Sequence, residues 1–118
     1  MRLAAKLVRE WQRRLGLTDW HVEVVDAHAA LLGLDTQAQC RINRARKVAY
    51  LCFQGDDTDL LDSVVHELLH IVFDPADEVV ETLLAASQLG AVGEALIESY
   101  RLHREQALAQ IARAVVGD

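Results

Sequence analysis

His66, Glu67 and His70 punctuate an otherwise apolar run, Ser63-Val64-Val65-His66-Glu67-Leu68-Leu69-His70-Ile71-Val72-Phe73. No glycine or proline breaks it. On a helix, residues four apart share a face, one turn apart. The run therefore predicts a helix set into the core that carries two imidazoles side by side and a carboxylate beside them. Burying those three groups without partners is costly. Hydrogen bonds within a core could satisfy them, but one ion suits the spacing better. Two imidazoles a turn apart can both reach a single Zn²⁺ at about 2.0–2.1 Å. Glu67 follows the first imidazole by one residue, so it stands near the ion without binding it. There it is placed to act as a general base on a water whose pKa zinc lowers to about 7.

The rest of the chain has to build a small domain around that helix. With 118 residues there is material for one compact domain, 1–118. The chain is 52% hydrophobic with a single proline, Pro75, which speaks for a packed core rather than a disordered tail. No apolar run reaches the roughly 18 residues of a membrane span. Charges are spread through Met1–Glu10, so no signal peptide is expected. Two cysteines, Cys40 and Cys52, are too few for a disulfide framework. Free thiols in a reducing cytoplasm are the expectation, with the pair as possible cross-strand neighbours rather than zinc ligands. The net charge of −6 points away from nucleic acid as a partner. A local basic cluster, Arg41, Arg44, Arg46 and Lys47, is read as a solvated hairpin tip in preference to a nucleic-acid contact.

Apolar residues at Leu3, Leu7, Val8, Trp11 and Leu15 have helical spacing, and Gly16 is a natural stop. Residues 20–25 alternate and are rich in valine, which predicts a strand. Residues 37–43 and 47–53 read as two more strands, joined by a turn at Asn43-Arg44-Ala45-Arg46. Residues 26–36 and 54–59 read as loops. The motif helix is expected over 59–73, with Asp59 and Asp62 suiting its positive end. Asp74 as N-cap and Pro75 at the first helical position predict a new helix over 75–89. Gly90 and Gly93 bracket a break before a last helix over 94–116. The fold class expected is α+β: about three strands, antiparallel or mixed, packed on the motif helix, with an N-terminal helix and a C-terminal helical hairpin.

Catalytic zinc takes three protein ligands and keeps one position open. The downstream candidates are Asp74, Asp77, Glu78, Glu81, Glu94, Glu98, His103 and Glu105. At about 100° per residue, Glu105 falls inside an apolar sector with Leu102, Leu108, Ala109, Ala112, Val115 and Val116. Glu98 and Glu94 lie near its edge, and His103 lies among polar neighbours. A carboxylate inside a core stripe needs a partner, a metal or an arginine such as Arg101. Glu105 is the preferred third ligand, with Glu98 and His103 left open. Tyr50, Tyr100, Arg101 and His103 are candidates for a donor that stabilises an oxyanion.

The order of a helix, a strand from Asp19-Trp20-His21-Val22, a hairpin, His66-Glu67-Leu68-Leu69-His70, and a long helix with Glu105-Gln106-Ala107-Leu108 resembles minimal zincin-like metallopeptidases of phage and prophage genomes, related to gluzincins. The resemblance covers nearly the whole chain; its specific part is the H-E-x-x-H run. It implies a zincin-like fold, Zn²⁺, hydrolysis of peptide bonds in a peptide or protein, and a glutamate ligand on a later helix, which by position resembles Glu105. The N-E-x-x-D run of larger gluzincins is missing. Metzincins are excluded, since Phe73 and Ala76 stand where a glycine and a third histidine are required. The expected activity uses Glu67 as base and His66, His70 and Glu105 as zinc ligands, with a substrate paired to a free edge of the 47–53 strand. So short a chain also admits a zincin-fold module that binds or assembles without turnover.

Overall fold

The computed structural model describes residues 2–25, 38–53 and 59–117. The expected loops at 26–36 and 54–58, and the strand start at Gln37, lie outside the described residues.

Helix α1 (Arg2–Arg14) buries Ala4, Val8 and Trp11, while Leu3, expected on the same face, is exposed. It stops where the sequence says it should. Gly16 takes φ +74°, the Gly16 N–H donates to the Arg13 carbonyl, and the Leu17 N–H donates to that of Gln12. The Gln12 amide then donates to the carbonyls of Leu17 (2.9 Å) and Trp20 (2.7 Å), which ties α1 to the strand that follows.

Strands β1 (His21–Val24), β2 (Ala38–Asn43) and β3 (Val48–Phe53) form one mixed sheet in the order β1-β3-β2. β3 is central, parallel to β1 and antiparallel to β2. The expectation that the 47–53 strand offers a free edge is therefore corrected: both its edges are taken. Its apolar sequence explains why, since Ala49, Leu51 and Cys52 are all buried. Among the described residues β2 is paired on one side only. The hairpin turn spans Arg44–Lys47, one residue later than expected, because Asn43 still pairs with Val48. The register pairs Cys40 with Leu51 and Cys52 with Gln39, so the two free thiols project from opposite faces and are not partners.

Helix α2 runs unbroken from Leu60 to Ala86, with Pro75 inside it. The expected helix boundary at Asp74–Pro75 is thus overturned. Proline forfeits one backbone hydrogen bond and crowds the preceding turn. Here the helix continues through it, with Asp74 and Asp77 on either side tied to Arg44 and Arg104. Asp74, expected as an N-cap, is instead claimed by Arg44 of the hairpin turn, with two hydrogen bonds of 2.9 Å. After a turn with positive φ at Gln88 and Gly90, helix α3 spans Ala91–Val116. Gly93 lies inside its first turn, so the break expected there is absent.

The first half of α2 is the spine of the core. Val64, Val65, Leu68, Leu69 and Ile71 are buried between Ala49 and Leu51 of β3, Val8 and Trp11 of α1, and Leu108 and Ala112 of α3. Each large side chain so buried contributes about 1.5–3 kcal/mol. Leu102 and Val115, expected in the apolar sector of the last helix, are exposed; the buried strip there is narrower and centres on Leu108 and Ala112. No described helix is long and apolar enough to cross a membrane.

Candidate metal centre

His66 and His70 face α3 from successive turns of α2, with ring centroids 5.3 Å apart at 63°. Glu105 arrives from the middle of α3 and spans both. One carboxylate oxygen lies 3.0 Å from His66 Nε2 and the other 2.7 Å from His70 Nε2. Ligand atoms around a tetrahedral Zn²⁺ stand about 3.3 Å apart, a separation close to these two His–Glu105 distances. Two imidazole nitrogens and a carboxylate are a donor set of the kind catalytic zinc takes. Glu67 is buried beside them, and a ligand atom from each of His66, Glu67 and His70 lies within 4.8 Å of the others. Glu105 is half-exposed, which leaves the group open to solvent on the cleft side.

The electrostatics match. Burial, and then the charge of Glu105, push the Glu67 carboxyl up to about 8. A cation close by would relieve both causes. Burial holds His70 below the ordinary histidine range, which favours the neutral ring whose lone pair can bind a metal.

Of the other candidates for third ligand, Glu98 is exposed and pairs with Arg101. His103 turns outward, with Nδ1 2.7 Å from the Ser99 carbonyl oxygen. Glu94 is exposed near the far end of the hairpin. Asp77 and Glu81 serve other partners. The Tyr100 hydroxyl donates to Asp77 Oδ1 at 2.6 Å, and Arg104 Nη1 donates to Asp77 Oδ2 at 3.0 Å. Arg101 lies 3.6 Å from Glu81. This clamp, buried at Asp77, ties α3 to α2 two turns beyond His70, on the face that also brings Glu105 to the histidines. Desolvation, then Asp77, push the Tyr100 hydroxyl up to about 12. None of the expected oxyanion donors is poised for that role. Tyr100 spends its proton on Asp77, Arg101 and His103 are bound elsewhere, and Tyr50 lies on the sheet face away from α2. Arg104, which sequence reasoning passed over, is the cation nearest the group, with Nη2 3.7 Å from Glu105. Its Nε is buried with no acceptor among the described residues.

An open cleft of about 380 Å³ leads to the group. β2 walls it with Ala38, Gln39, Cys40 and Ile42, and α2 and α3 with Glu67, His70, Asp77 and Arg104. The Cys40 thiol is pushed far up by burial and by the carboxylates of Glu67 and Asp74, so it presents a neutral wall. The basic cluster at the hairpin tip is half neutralised, since Arg44 pairs with Asp74 and Lys47 with Asp19. Comparison of the chain with protein-family models, curated proteins and solved structures finds no match.

Proposed function

We propose that the chain is a small zinc-dependent peptidase of zincin type, with His66, His70 and Glu105 as ligands and Glu67 as general base. The observation that carries the proposal is the meeting of one Glu105 carboxylate with both Nε2 atoms from a different helix. A bound Zn²⁺ would supply a Lewis acid and a water acidified to a pKa of about 7. Glu67, beside the ligands and shielded from bulk water, takes a proton on its carboxylate from the attacking water. It then returns that proton to the amide nitrogen of the departing fragment. Arg104, held by Asp77, lines the cleft beside Glu105 and would supply positive charge to a substrate carbonyl polarised there. The peptide would lie extended along the outer edge of β2, pairing with its main chain.

Digestion of a complex peptide library tests this, with wild type compared with zinc-loaded Glu67→Gln. New termini should appear with wild type and vanish with the variant while zinc stays bound. Equal cleavage by both would remove Glu67 from the role of base. Zinc retained with no cleavage by either would leave a binding module.

A further inference from the structure

A second cavity, about 670 Å³, lies on the other side of the Arg44–Asp74 ion pair from the cleft. Leu15, Leu17 and Trp20 line it from the α1–β1 connection, and Ile71, Val72 and Pro75 from α2. Its rim is polar, with Lys47 and Glu78. Lys47 pairs with Asp19 at 2.6 Å, and of the apolar lining Val72 and Pro75 are exposed. Arg44 and Asp74 border both cavities. Arg44 is pinned by Nε and Nη2 on the Asp74 carboxylate, so the wall between the cavities is a fixed ion pair of side chains. β2 leads from one cavity to the other, since Ala38 to Ile42 border the cleft and the Arg44–Lys47 turn borders the second cavity.

We infer that this second cavity receives an apolar side chain, Leu, Met or Phe, of the same extended peptide whose backbone occupies the cleft. The inference rests on the peptidase reading and gives it a sequence preference. Three observations favour this occupant. The floor is apolar and the rim polar, which suits one amphipathic stretch of chain. The two cavities are neighbours with the Arg44–Asp74 pair as their common border, so a chain that crosses this pair passes from one to the other. The separation also fits: Pro75 lies five residues beyond His70 on α2 and around its side. That places the pocket roughly 12 Å from the histidines, or about three to four extended residues. A side chain there selects substrates without touching the reacting atoms. Filling such a pocket is worth about ten- to hundredfold in specificity.

The test uses the zinc-loaded full chain. In a peptide-library digest, wild type should show about tenfold enrichment of Leu, Met or Phe at one fixed position three or four residues from the cleaved bond. Ala45→Trp, an exposed turn residue at the cavity's edge, should abolish that enrichment while leaving cleavage of peptides without Leu, Met or Phe at that position unchanged. A flat profile at those positions, or the same preference in Ala45→Trp, overturns the inference and leaves the peptidase reading standing. Absence of any cleavage sinks the peptidase reading itself, and a binding measurement then decides the pocket. The chain has two tryptophans, so Trp11→Phe makes Trp20 the sole reporter. In Trp11→Phe/Glu67→Gln, an acetylated alanine heptapeptide with a single Phe should give a saturable change in Trp20 emission, and its all-alanine counterpart should not. Equal responses to the two peptides, or no response to either, overturn the inference.

Discussion

Metal-free protein should lose stability as pH rises from about 4.5 to about 8, and Glu67 should be the cause. The Glu67 carboxyl is pushed from 4.5 up to about 8 by burial and by Glu105. Between those values the folded chain keeps a proton that the unfolded chain has released. Stability then falls with pH, at about 1.4 kcal/mol per pH unit for one proton. Across the whole window this amounts to roughly 5 kcal/mol, a large share of the stability of a small domain. Glu67→Gln removes the titration while keeping the shape and a neutral, hydrogen-bonding end. The assay is urea unfolding of chelator-treated protein at pH 5, 6, 7 and 8, taking variant minus wild type so that other titrating groups cancel. The difference should be near zero at pH 5 and grow to several kcal/mol in favour of Gln at pH 8. Saturating zinc should shrink it, because a cation beside Glu67 favours the carboxylate. A difference that does not change with pH would refute the reasoning, since a desolvated carboxylate could not then be what the site contains.

Other expectations follow from named contacts. Pro75→Ala should stabilise the chain by about 1–3 kcal/mol in urea unfolding, by restoring an N–H for the Ile71 carbonyl at an exposed position within α2; a helix that started at Pro75 would gain nothing. Arg44→Ala should cost about 1–3 kcal/mol by leaving the buried Asp74 carboxylate without its cation, and adding Asp74→Ala should recover part of the loss in thermal melts. Tyr100→Phe should cost about 1 kcal/mol, whereas Arg104→Gln should also weaken zinc binding in a competition titration, because it strips charge from beside Glu105. Leu108→Ala, one turn beyond Glu105, should cost about 2–5 kcal/mol on cavity grounds, with a lower denaturation midpoint.

Local chemistry made much of this fold legible. The Gly16 stop, the hairpin and the helical spacing of His66 and His70 are all short-range consequences of residue type. So was the meeting of Glu105 with the motif helix, since a carboxylate in phase with Leu108 and Ala112 faces the neighbouring helix. What misled was Pro75. Read as a helix start, it cut α2 in two and hid the fact that His66, His70, Asp74, Asp77 and Glu81 continue one face at spacings of three and four. That face, read through the proline, points to Tyr100, Arg101 and Arg104 as its partners on α3. The sheet order was not legible in the same way. Whether β3 lies at the centre or the edge depends on pairing across residues far apart in sequence, and its apolar composition was the one local hint. The Arg44–Asp74 bridge is likewise a contact between distant segments that no spacing announces.

Zinc binding by purified, metal-stripped protein tests the centre of this account most directly. Titration with a chromophoric competitor, together with elemental analysis, should give one tight equivalent of zinc in wild type. That equivalent should be lost in His66→Ala and in Glu105→Ala and retained in Glu98→Ala and His103→Ala. Zinc bound equally well without Glu105, or no zinc bound by the folded wild type, would mean that the contact between Glu105 and the two imidazoles is only a hydrogen-bonded tie between helices.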